Sequence, residues 1–346
     1  MRLGVIPENP MEWLVLRSAQ FPKPIYDVMG TMLLSRALMA GVELGVFDRL
    51  ASGPRTAAEL ATDAACPEHG LELLLDALVA CRYLEEDNGR YRNAPLASRW
   101  LVSANDQTLA NFVRFNYDQW DWVSHLEDYL RRGEARDIHE KLDPPRWRNY
   151  MLGLRDIATI SADEIVAKVR FHAEPRSLLD LGAGHCHYSI ALCRRYSKLR
   201  VTVVDLEPAT RVGRELVERA GLTARFDFHA GHLAETPLGT SHDAALLFNL
   251  VHHLDEATNR ATFRRVFEAL APGGQLVVWE AFREEAEKRK RDQLGALLGL
   301  FFGLVSRRQS YSFGETAVWA RAAGFAQARK VNLRTGPGAA LLIATK

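Results

Sequence analysis

The segment Leu178–Glu207 constrains the fold of this chain more than any other. An apolar run ends at Asp180, and a turn of small residues follows, with Gly182 and Gly184 two positions apart. An amphipathic stretch then leads to a β-branched run that ends at Asp205. This order of strand, glycine turn, helix, strand and acid is how a Rossmann-type unit holds a nucleoside-bearing ligand. The glycines admit the ligand close to the backbone, and the acid accepts hydrogen bonds from ribose hydroxyls.

The same turn departs from the usual pattern at one position. Cys186 stands where a third glycine normally allows close packing of helix on strand, and His185 and His187 flank it. A His-Cys-His run suggests a metal site. Because alternate residues at the start of a helix point in divergent directions, we predict no metal here and expect surface or pocket-lining histidines instead.

Composition narrows the functional classes. The 346 residues suffice for two domains with buried cores, and the net charge of +1 offers no basic surface for a nucleic acid. The four cysteines form no CxxC pair and no secretory leader is apparent, so we expect reduced thiols in a cytoplasmic protein. The longest apolar run, 294–305, is too short to span a bilayer, so no membrane association is predicted.

The first part of the chain has the pattern of helices followed by a hairpin. Apolar residues at helical spacing predict helices over Thr31–Leu50 and His69–Leu84, and Thr56 with Glu59 forms a capping-box sequence between them. Asn88-Gly89 predicts a two-residue hairpin turn. This order is typical of a winged helix. Few basic side chains lie where a recognition helix would need them, which favours a packing or dimerisation module over DNA binding.

The remainder divides into a helical block and an α/β region. Aromatic side chains are frequent between Asp106 and Val169, where we expect them in the core or at a subunit interface. From Arg176 onward, short apolar strands alternate with helices, which predicts a doubly wound, mainly parallel sheet with an antiparallel last strand. The predicted strands are 177–182, 200–206, 225–231, 243–250, 274–281 and 340–346. The predicted domains are residues 1–104, 105–170 and 171–346.

Five motifs resemble those of the S-adenosylmethionine-dependent small-molecule O-methyltransferases that carry an N-terminal dimerisation domain. The resemblance covers nearly the whole chain, and the motifs occur in the family's order. They are DLGAGHCHYS (180–189), VVDLEPA (203–209), FNLVHHLDE (248–256), LAPGGQLVVWE (270–280) and ETAVWARAAGF (315–325). The resemblance implies a Rossmann-like methyltransferase fold and a homodimer formed through the N-terminal domain.

The resemblance also implies S-adenosylmethionine as the cofactor. The residues expected to bind it are Asp180, Gly182, Gly184, Asp205, Leu206, His232, Leu233 and Asn249. His232 departs from the family pattern, in which a carboxylate at this position accepts from the adenine amino group. A neutral imidazole still accepts one hydrogen bond, whereas a protonated one would repel that amino group.

The catalytic residues implied by the resemblance are His252 as general base and Glu280 as the acid that orients it. An imidazole can take the proton of a phenol, which is a poor nucleophile until that proton leaves. A carboxylate on one ring nitrogen leaves the other free to accept, as in hydrolase triads. Two alternatives stay open: His252 shapes the pocket only, or Glu280 caps a helix or pairs with Arg283.

Acceptor contacts are expected from the helix over 294–305 and from the helical block. The candidates are Trp120, Tyr150, Phe301 and Phe302, each of which could instead be a core residue. The predicted activity is methylation of a hydroxyl on a small aromatic or polyketide-like acceptor of secondary metabolism. The alternatives are a fold relative that catalyses C- or N-methylation or a non-methylating step, and a winged-helix regulator that senses a ligand.

Overall fold

The computed structural model describes residues 4–18, 21–135, 139, 142–283, 293–306, 311–335 and 339–346. These residues form two compact units, 1–117 and 118–346. Each unit has a hydrophobic core of its own.

The first unit is helical with one hairpin. A π-helical segment, Tyr26–Gly30, joins its second and third helices, and the 3₁₀ turn Leu50–Ser52 follows the fourth. Its elements are α1 Pro10–Leu16, α2 Lys23–Ile25, α3 Thr31–Glu43, α4 Val46–Arg49, α5 Ala57–Asp63, α6 Glu68–Ala80, β1 Leu84–Asp87, β2 Arg90–Asn93 and α7 Pro95–Trp100. Helix α8, Ala110–Val123, begins in this unit.

Local sequence signals set the ends of these elements as expected. Gly45 adopts a left-handed φ of +63° just after α3, where a side chain would be strained. Thr56 and Glu59 form both hydrogen bonds of a capping box at the start of α5. The hairpin β1–β2 turns at Asn88 and Gly89, both with positive φ. Helix α6 carries no lysine or arginine, which weighs against a DNA-recognition role.

A large apolar surface lies on α1 to α3. None of the residues of α1 is buried. The exposed apolar side chains are Met11, Trp13, Leu14, Val15, Ile25, Tyr26, Val28, Met29, Met32, Leu33 and Leu34. By length and composition the run Lys23–Glu43 could also cross a membrane, and 17% of its most apolar window is buried. The longest uninterrupted apolar run, residues 294–305, was the candidate for a membrane span in the sequence, so the run Lys23–Glu43 was missed.

The second unit contains a seven-stranded sheet. Its strands are β3 Ser177–Leu181, β4 Arg200–Asp205, β5 Phe226–Ala230, β6 His242–Phe248, β7 Leu270–Ala281, β8 Arg329–Asn332 and β9 Ala339–Thr345, in the order β5-β4-β3-β6-β7-β9-β8. The strands β3 to β7 run parallel, and β9 is antiparallel to both β7 and β8. All six predicted strands and the antiparallel last strand are confirmed. The edge strand β8 was missed.

Helices cover both faces of this sheet. They are α9 Leu126–Arg132, α10 Pro144–Lys168, α11 His187–Arg195, α12 Glu207–Arg219, α13 Glu256–Ala269, α14 Gln293–Val305 and α15 Phe313–Ala323, with 3₁₀ turns at Thr223–Arg225 and Val251–His253. Helices α10 and α11 pack with Leu178 and Val203 on one face. Helices α13 and α15 pack with Leu179 and Val204 on the other. The unit is therefore a three-layer α/β/α sandwich, as predicted.

The strand order locates the candidate site. Strand β3 lies between β4 and β6, and the chain crosses from one side of the sheet to the other at this point. Ligands of such sheets bind beyond the carboxyl ends of the strands beside this switch. The carboxyl ends of these strands carry Asp180, Asp205 and Asn249. The Val251–His253 turn follows β6 at the same end of the sheet.

Candidate active site

The turn after β3 requires its two glycines. Gly182 and Gly184 have φ values of +67° and +50°, in the left-handed region that disfavours side chains. A Cβ at Gly182 would lie 2.9 Å from Leu250 Cδ1, and one at Gly184 would lie 3.1 Å from Met151 Sδ. Leu250 and Met151 therefore pack closely against the turn, and both glycines remain partly exposed. The sequence analysis did not single out Met151, which α10 brings beneath the turn.

Asp205 links the ends of β3 and β4. Its Oδ2 accepts a hydrogen bond from Gly184 N at 2.7 Å, and its Oδ1 accepts one from Leu206 N at 2.7 Å. Burial raises the pKa of this carboxyl, while the two backbone donors oppose the rise. Each oxygen keeps a lone pair beyond its backbone bond. The carboxylate is therefore fixed beside the glycine turn and can still accept from vicinal hydroxyls.

Asp180 faces the helix that follows the turn. The residue is 4% exposed, and Ser189 Oγ on α11 donates a hydrogen bond to its Oδ2. Burial raises the pKa of Asp180 to about 7, with the nearby charge of Asp205 adding to the rise. In this arrangement the side chain ties β3 to α11 beneath the glycine turn. Ser189 was not identified from the sequence.

Cys186 occupies the third glycine position in a left-handed conformation, with φ +55°. Its buried thiol lies against α12, where Gly213 provides the space. His185 Nδ1 accepts a hydrogen bond from His187 N at 3.1 Å. His185 is only 8% exposed, so of the two expected positions, on the surface or lining a pocket, it does not take the surface one. Among the described residues, no group of three or more His, Cys, Asp or Glu side chains is arranged to hold a metal ion.

Three further predicted cofactor residues lie on loops at the same sheet edge. His232 is exposed after β5, and its Nδ1 accepts from Ala234 N at 3.3 Å. Leu233 packs partly against the core. Asn249 is exposed at the end of β6, has φ +50°, and donates its backbone N–H to Trp279 O.

His252 and Glu280 are brought into direct contact. Glu280 Oε2 lies 2.8 Å from His252 Nδ1, and Glu280 Oε1 accepts the backbone N–H of Val251 at 2.8 Å. Both side chains are buried, at 10% and 5% exposure. An ionised carboxylate favours the tautomer with hydrogen on Nδ1, which leaves Nε2 as the acceptor. Arg283 does not take this carboxylate: it donates to both oxygens of Glu315 at 2.9 Å.

Aromatic rings surround this pair. The Phe302 ring on α14 lies 5.0 Å from the His252 ring, and Phe301 lies 6.1 Å from Phe302. His253 lies 4.0 Å from His252 on the other side, and burial lowers its pKa well below the ordinary value. The imidazole beside His252 is therefore neutral and adds no charge to the site.

His139, which lies before α10, joins the same aromatic cluster. The His139 ring contacts His253 at 4.8 Å, and His139 Nε2 lies 3.3 Å from Tyr150 OH. Trp147 completes this cluster at 5.5 Å from His139. The structure thus brings Tyr150, Phe301 and Phe302 towards His252 in one chain of ring contacts. Trp120 is 40% exposed on α8. The sequence analysis missed His139, which no motif marks.

Two family models match the chain. Residues 120–326 match the O-methyltransferase domain, and residues 26–103 match the O-methyltransferase dimerisation domain. The chain belongs to the S-adenosylmethionine-dependent O-methyltransferase family. The domain match covers the five parallel strands β3 to β7 and both members of the His252–Glu280 pair, so the family resemblance and the predicted class of enzyme are confirmed.

Individual relatives agree with this assignment. The 3-hydroxy-5-methyl-1-naphthoate 3-O-methyltransferase of Streptomyces sahachiroi is 28% identical over 327 residues, 92% of this chain and 93% of its own. The N,N-dimethyltransferase OxyT of Streptomyces rimosus is 31% identical over 277 residues, 76% and 79% of the two chains. The crystal structure of human N-acetylserotonin methyltransferase in complex with S-adenosylmethionine superposes with a TM-score of 0.84 at 22% identity, covering 95% and 99%.

The residues at the strand ends of this O-methyltransferase fit the family's cofactor. Gly182 and Gly184 are partly exposed and have left-handed φ values that a side chain would strain, and the Asp205 carboxylate has acceptor capacity beside them. A ribose with two hydroxyls matches a carboxylate with two oxygens. His232 is less suited than a carboxylate to an adenine amino group, because its Nδ1 already accepts from Ala234 N.

Proposed function

We propose that this O-methyltransferase methylates a hydroxyl group of a small aromatic or polyketide-like acceptor, with His252 as the general base. The observation that carries the proposal is the use of both Glu280 oxygens: one orients His252 Nδ1 and the other fixes Val251 N, each at 2.8 Å. His252 Nε2 makes no hydrogen bond to any described residue, so it is available to a substrate hydroxyl.

The chemistry needs few groups from the chain. When bound, S-adenosylmethionine supplies a methyl group on a positively charged sulfur. His252 Nε2 accepts the proton of the acceptor hydroxyl, which converts a weak nucleophile into a strong one. The Glu280 carboxylate stabilises the imidazolium that results, without itself taking the proton. Phe302 and the neighbouring rings exclude water from the base and present a flat apolar surface.

The acceptor class follows from the ring contacts around His252. Phe302 and His253 flank the base, and Tyr150 with Phe301 extends the aromatic lining. A flat, largely apolar ring system with one reactive hydroxyl matches such a lining. The naphthoate 3-O-methyltransferase from Streptomyces sahachiroi acts on a compound of this kind. We propose that residues 105–170 contribute to this lining as a separate helical block.

The test compares His252→Ala with a matched control on the same fold. Hydroxynaphthoates and hydroxyquinones serve as acceptors, and methylated products are identified by mass spectrometry and NMR. His252→Ala should lower kcat by about 10²–10⁴-fold, the usual contribution of general-base catalysis. His172→Ala should leave kcat unchanged, because His172 is exposed and contacts Thr345, which lies at the end of the sheet away from His252. Undiminished turnover by His252→Ala would reduce His252 to a pocket residue.

An amine acceptor is the second candidate. The relative that is 31% identical, OxyT, is named an N,N-dimethyltransferase. An ammonium group also has to lose a proton before it can attack a methyl group, so His252 could serve it equally. Including alkylamines carried on aromatic ring systems in the acceptor panel separates the two activities, because these amines are protonated near neutral pH and their N-methyl products differ in NMR shift from O-methyl products.

We propose that the protein is a homodimer formed through the exposed apolar surface of α1 to α3. An apolar patch of this size is unusual on a monomer, and the dimerisation-domain match begins at residue 26, within it. Met29 and Leu33 lie in its centre by sequence. Light scattering should give a dimer for the natural protein and a monomer for a Met29→Glu, Leu33→Glu variant. A natural protein that is monomeric at micromolar concentration would contradict the proposal.

A further inference from the structure

The turn that carries His252 is held by a buried amide from the next helix. Asn259 lies on α13 and is 0% exposed. Its Nδ2 donates hydrogen bonds to the carbonyl oxygens of Val251 at 3.0 Å and Leu254 at 3.1 Å. These two carbonyls lie on either side of the His252–His253 pair. One side chain therefore spans the turn and fixes both of its ends.

Asn259 and Glu280 hold the same residue from opposite directions. The N–H of Val251 donates to Glu280 Oε1, and the C=O of Val251 accepts from Asn259. Both polar groups of the residue before His252 are therefore fixed, and the remaining Glu280 oxygen meets the His252 ring. We infer that Asn259 is a positioning residue, which keeps His252 in register with Glu280. The inference rests on the proposed role of His252 as the base.

The energetics of a buried amide support this role. Asn259 Oδ1 is buried and has no hydrogen-bond partner among the described residues. An unpaired buried polar atom costs roughly 1–3 kcal/mol, so an apolar side chain would fill this space at lower cost. The benefit that Asn259 supplies is its pair of donated bonds, and both go to the turn that bears the base.

Two other side chains contact the turn with one bond each. Tyr311 OH donates to the carbonyl of Leu254 at 3.0 Å, and Ser306 Oγ donates to the carbonyl of His252 at 3.2 Å. Both residues come from the C-terminal side of the chain, at the end of α14 and before α15. Both side chains are buried and reach the turn from the segment after β7, whereas Asn259 reaches it from α13.

The test is the Asn259→Ala variant, measured by steady-state kinetics over a range of pH. We expect kcat to fall at least tenfold, since small misplacements of a catalytic group cost up to about 10²-fold. Calorimetry should give a dissociation constant for S-adenosylmethionine that changes by less than about twofold, because Asp205 and the glycines are untouched. The acid limb of the kcat/KM profile should move to lower pH, because a displaced imidazolium loses the carboxylate that stabilises it. The titratable groups that face His252 are Glu280 and His253.

Val266→Ala is the matched control. Val266 lies on the same helix, about two turns further along, and is also fully buried. This variant removes core volume and leaves the hydrogen bonds of the turn intact, so it should lower the urea midpoint with no shift of the pH profile. If Asn259→Ala lowers kcat only as much as Val266→Ala and keeps the acid limb in place, the positioning role is overturned.

Asn259→Leu decides the question if Asn259→Ala does not fold, because leucine fills about the same volume but donates no hydrogen bond to the turn. We expect the same shift of the acid limb. An unchanged profile would overturn the inference. His252→Ala tests the assignment of the base by itself. If His252→Ala loses turnover while the pH profile of Asn259→Ala stays unshifted, only the positioning role is rejected.

Discussion

Cys186 and Gly213 are complementary across the interface between the glycine turn and α12. A Cβ at Gly213 would lie 3.0 Å from Cys186 Sγ and 2.8 Å from the carbonyl oxygen of Gly184. In the family pattern a third glycine at position 186 allows the helix to pack closely. Here the thiol fills that position, and the missing side chain is on the facing helix instead. The departure at Cys186 is therefore compensated within the fold.

Gly213→Ala should disrupt this packing. The added methyl group meets backbone and a buried thiol, and overpacking of this kind costs about 1–3 kcal/mol. We expect a lower free energy of unfolding in urea and weaker binding of S-adenosylmethionine, because the displaced group is the carbonyl of Gly184. Gly70→Ala is the control, since a Cβ there meets nothing within 4 Å.

The double variant Cys186→Gly, Gly213→Ala should recover part of the loss. It removes the contact with Sγ but keeps the contact with the Gly184 carbonyl. A double-mutant cycle measures the coupling directly. Strictly additive effects of the two substitutions would show that Cys186 and Gly213 do not compensate each other.

Glu280→Gln should lower kcat while leaving cofactor affinity unchanged. The amide oxygen can still accept from Val251 N, so the turn keeps its backbone contact. The amide NH₂ then faces His252 Nδ1 and favours the tautomer with hydrogen on Nε2, which cannot accept a proton. We expect a fall of at least about 10²-fold in kcat, within the range of general-base catalysis. Measured turnover within a few fold of the natural enzyme would show that Glu280 does not set the tautomer.

The sequence predicted the parts of this protein that depend on local spacing. The glycine turn and the capping box at Thr56 are each set by residues a few positions apart. Asp205 ends an apolar run, and the sheet follows from the alternation of such runs with helices. Strand β8 was missed because its sequence, RKVN, is mostly polar and pairs only with β9 at the sheet edge. The contact between His252 and Glu280 spans 28 positions, and only the family resemblance indicated it.

The supporting residues of the site could not be predicted in this way. Each of these residues contacts atoms that only folding brings close. Asn259 binds two carbonyls, Gly213 leaves room for a thiol, and Ser189 binds a buried carboxyl. Asn259 and Gly213 stand in no motif, Ser189 ends the 180–189 motif without any sequence signal for its contact, and each residue type is common on helices and loops. What the sequence lacks is the distance between elements, which the packing of α11, α12 and α13 on the sheet determines.

Asp180→Asn should stabilise the protein in alkaline solution. Burial raises the pKa of Asp180 from its ordinary value of about 4 to about 7. The folded state therefore binds more protons than the unfolded state between these values, and the contribution of Asp180 to stability is lost as pH rises from about 4 to 7. Asparagine can still accept from Ser189 Oγ and carries no charge. We expect Tm to rise by roughly 5 °C at pH 8 and to stay nearly unchanged at pH 4.

Asp106→Asn controls for a general change in net charge, since Asp106 is exposed. It should give the same small shift at both pH values. If Asp180→Asn also shifts Tm equally at pH 4 and pH 8, the buried carboxyl does not titrate in this range.

Glu164→Gln should weaken the attachment of the segment after β8 to α10. The Glu164 carboxylate accepts from the backbone N–H groups of Arg334 at 2.9 Å and Thr335 at 2.8 Å, and pairs with Lys168 at 2.5 Å. Burial would raise the pKa of the Glu164 carboxyl, but the hydrogen bonds donated by Lys168, Thr335 and Arg334 outweigh it. They hold this pKa at about 2, below the ordinary value for glutamate.

The stability that Glu164 contributes is therefore present above about pH 4.5 and is lost as pH falls towards 2. Glutamine keeps one acceptor and loses the charge, so at pH 7 we expect a loss of about 1 kcal/mol, at the low end for bonds to charged groups because the site borders solvent. Urea unfolding of both proteins at pH 7 and pH 3 measures this difference. The gap between them should narrow at pH 3, and a constant gap would mean that the bonds to Glu164 do not depend on its charge.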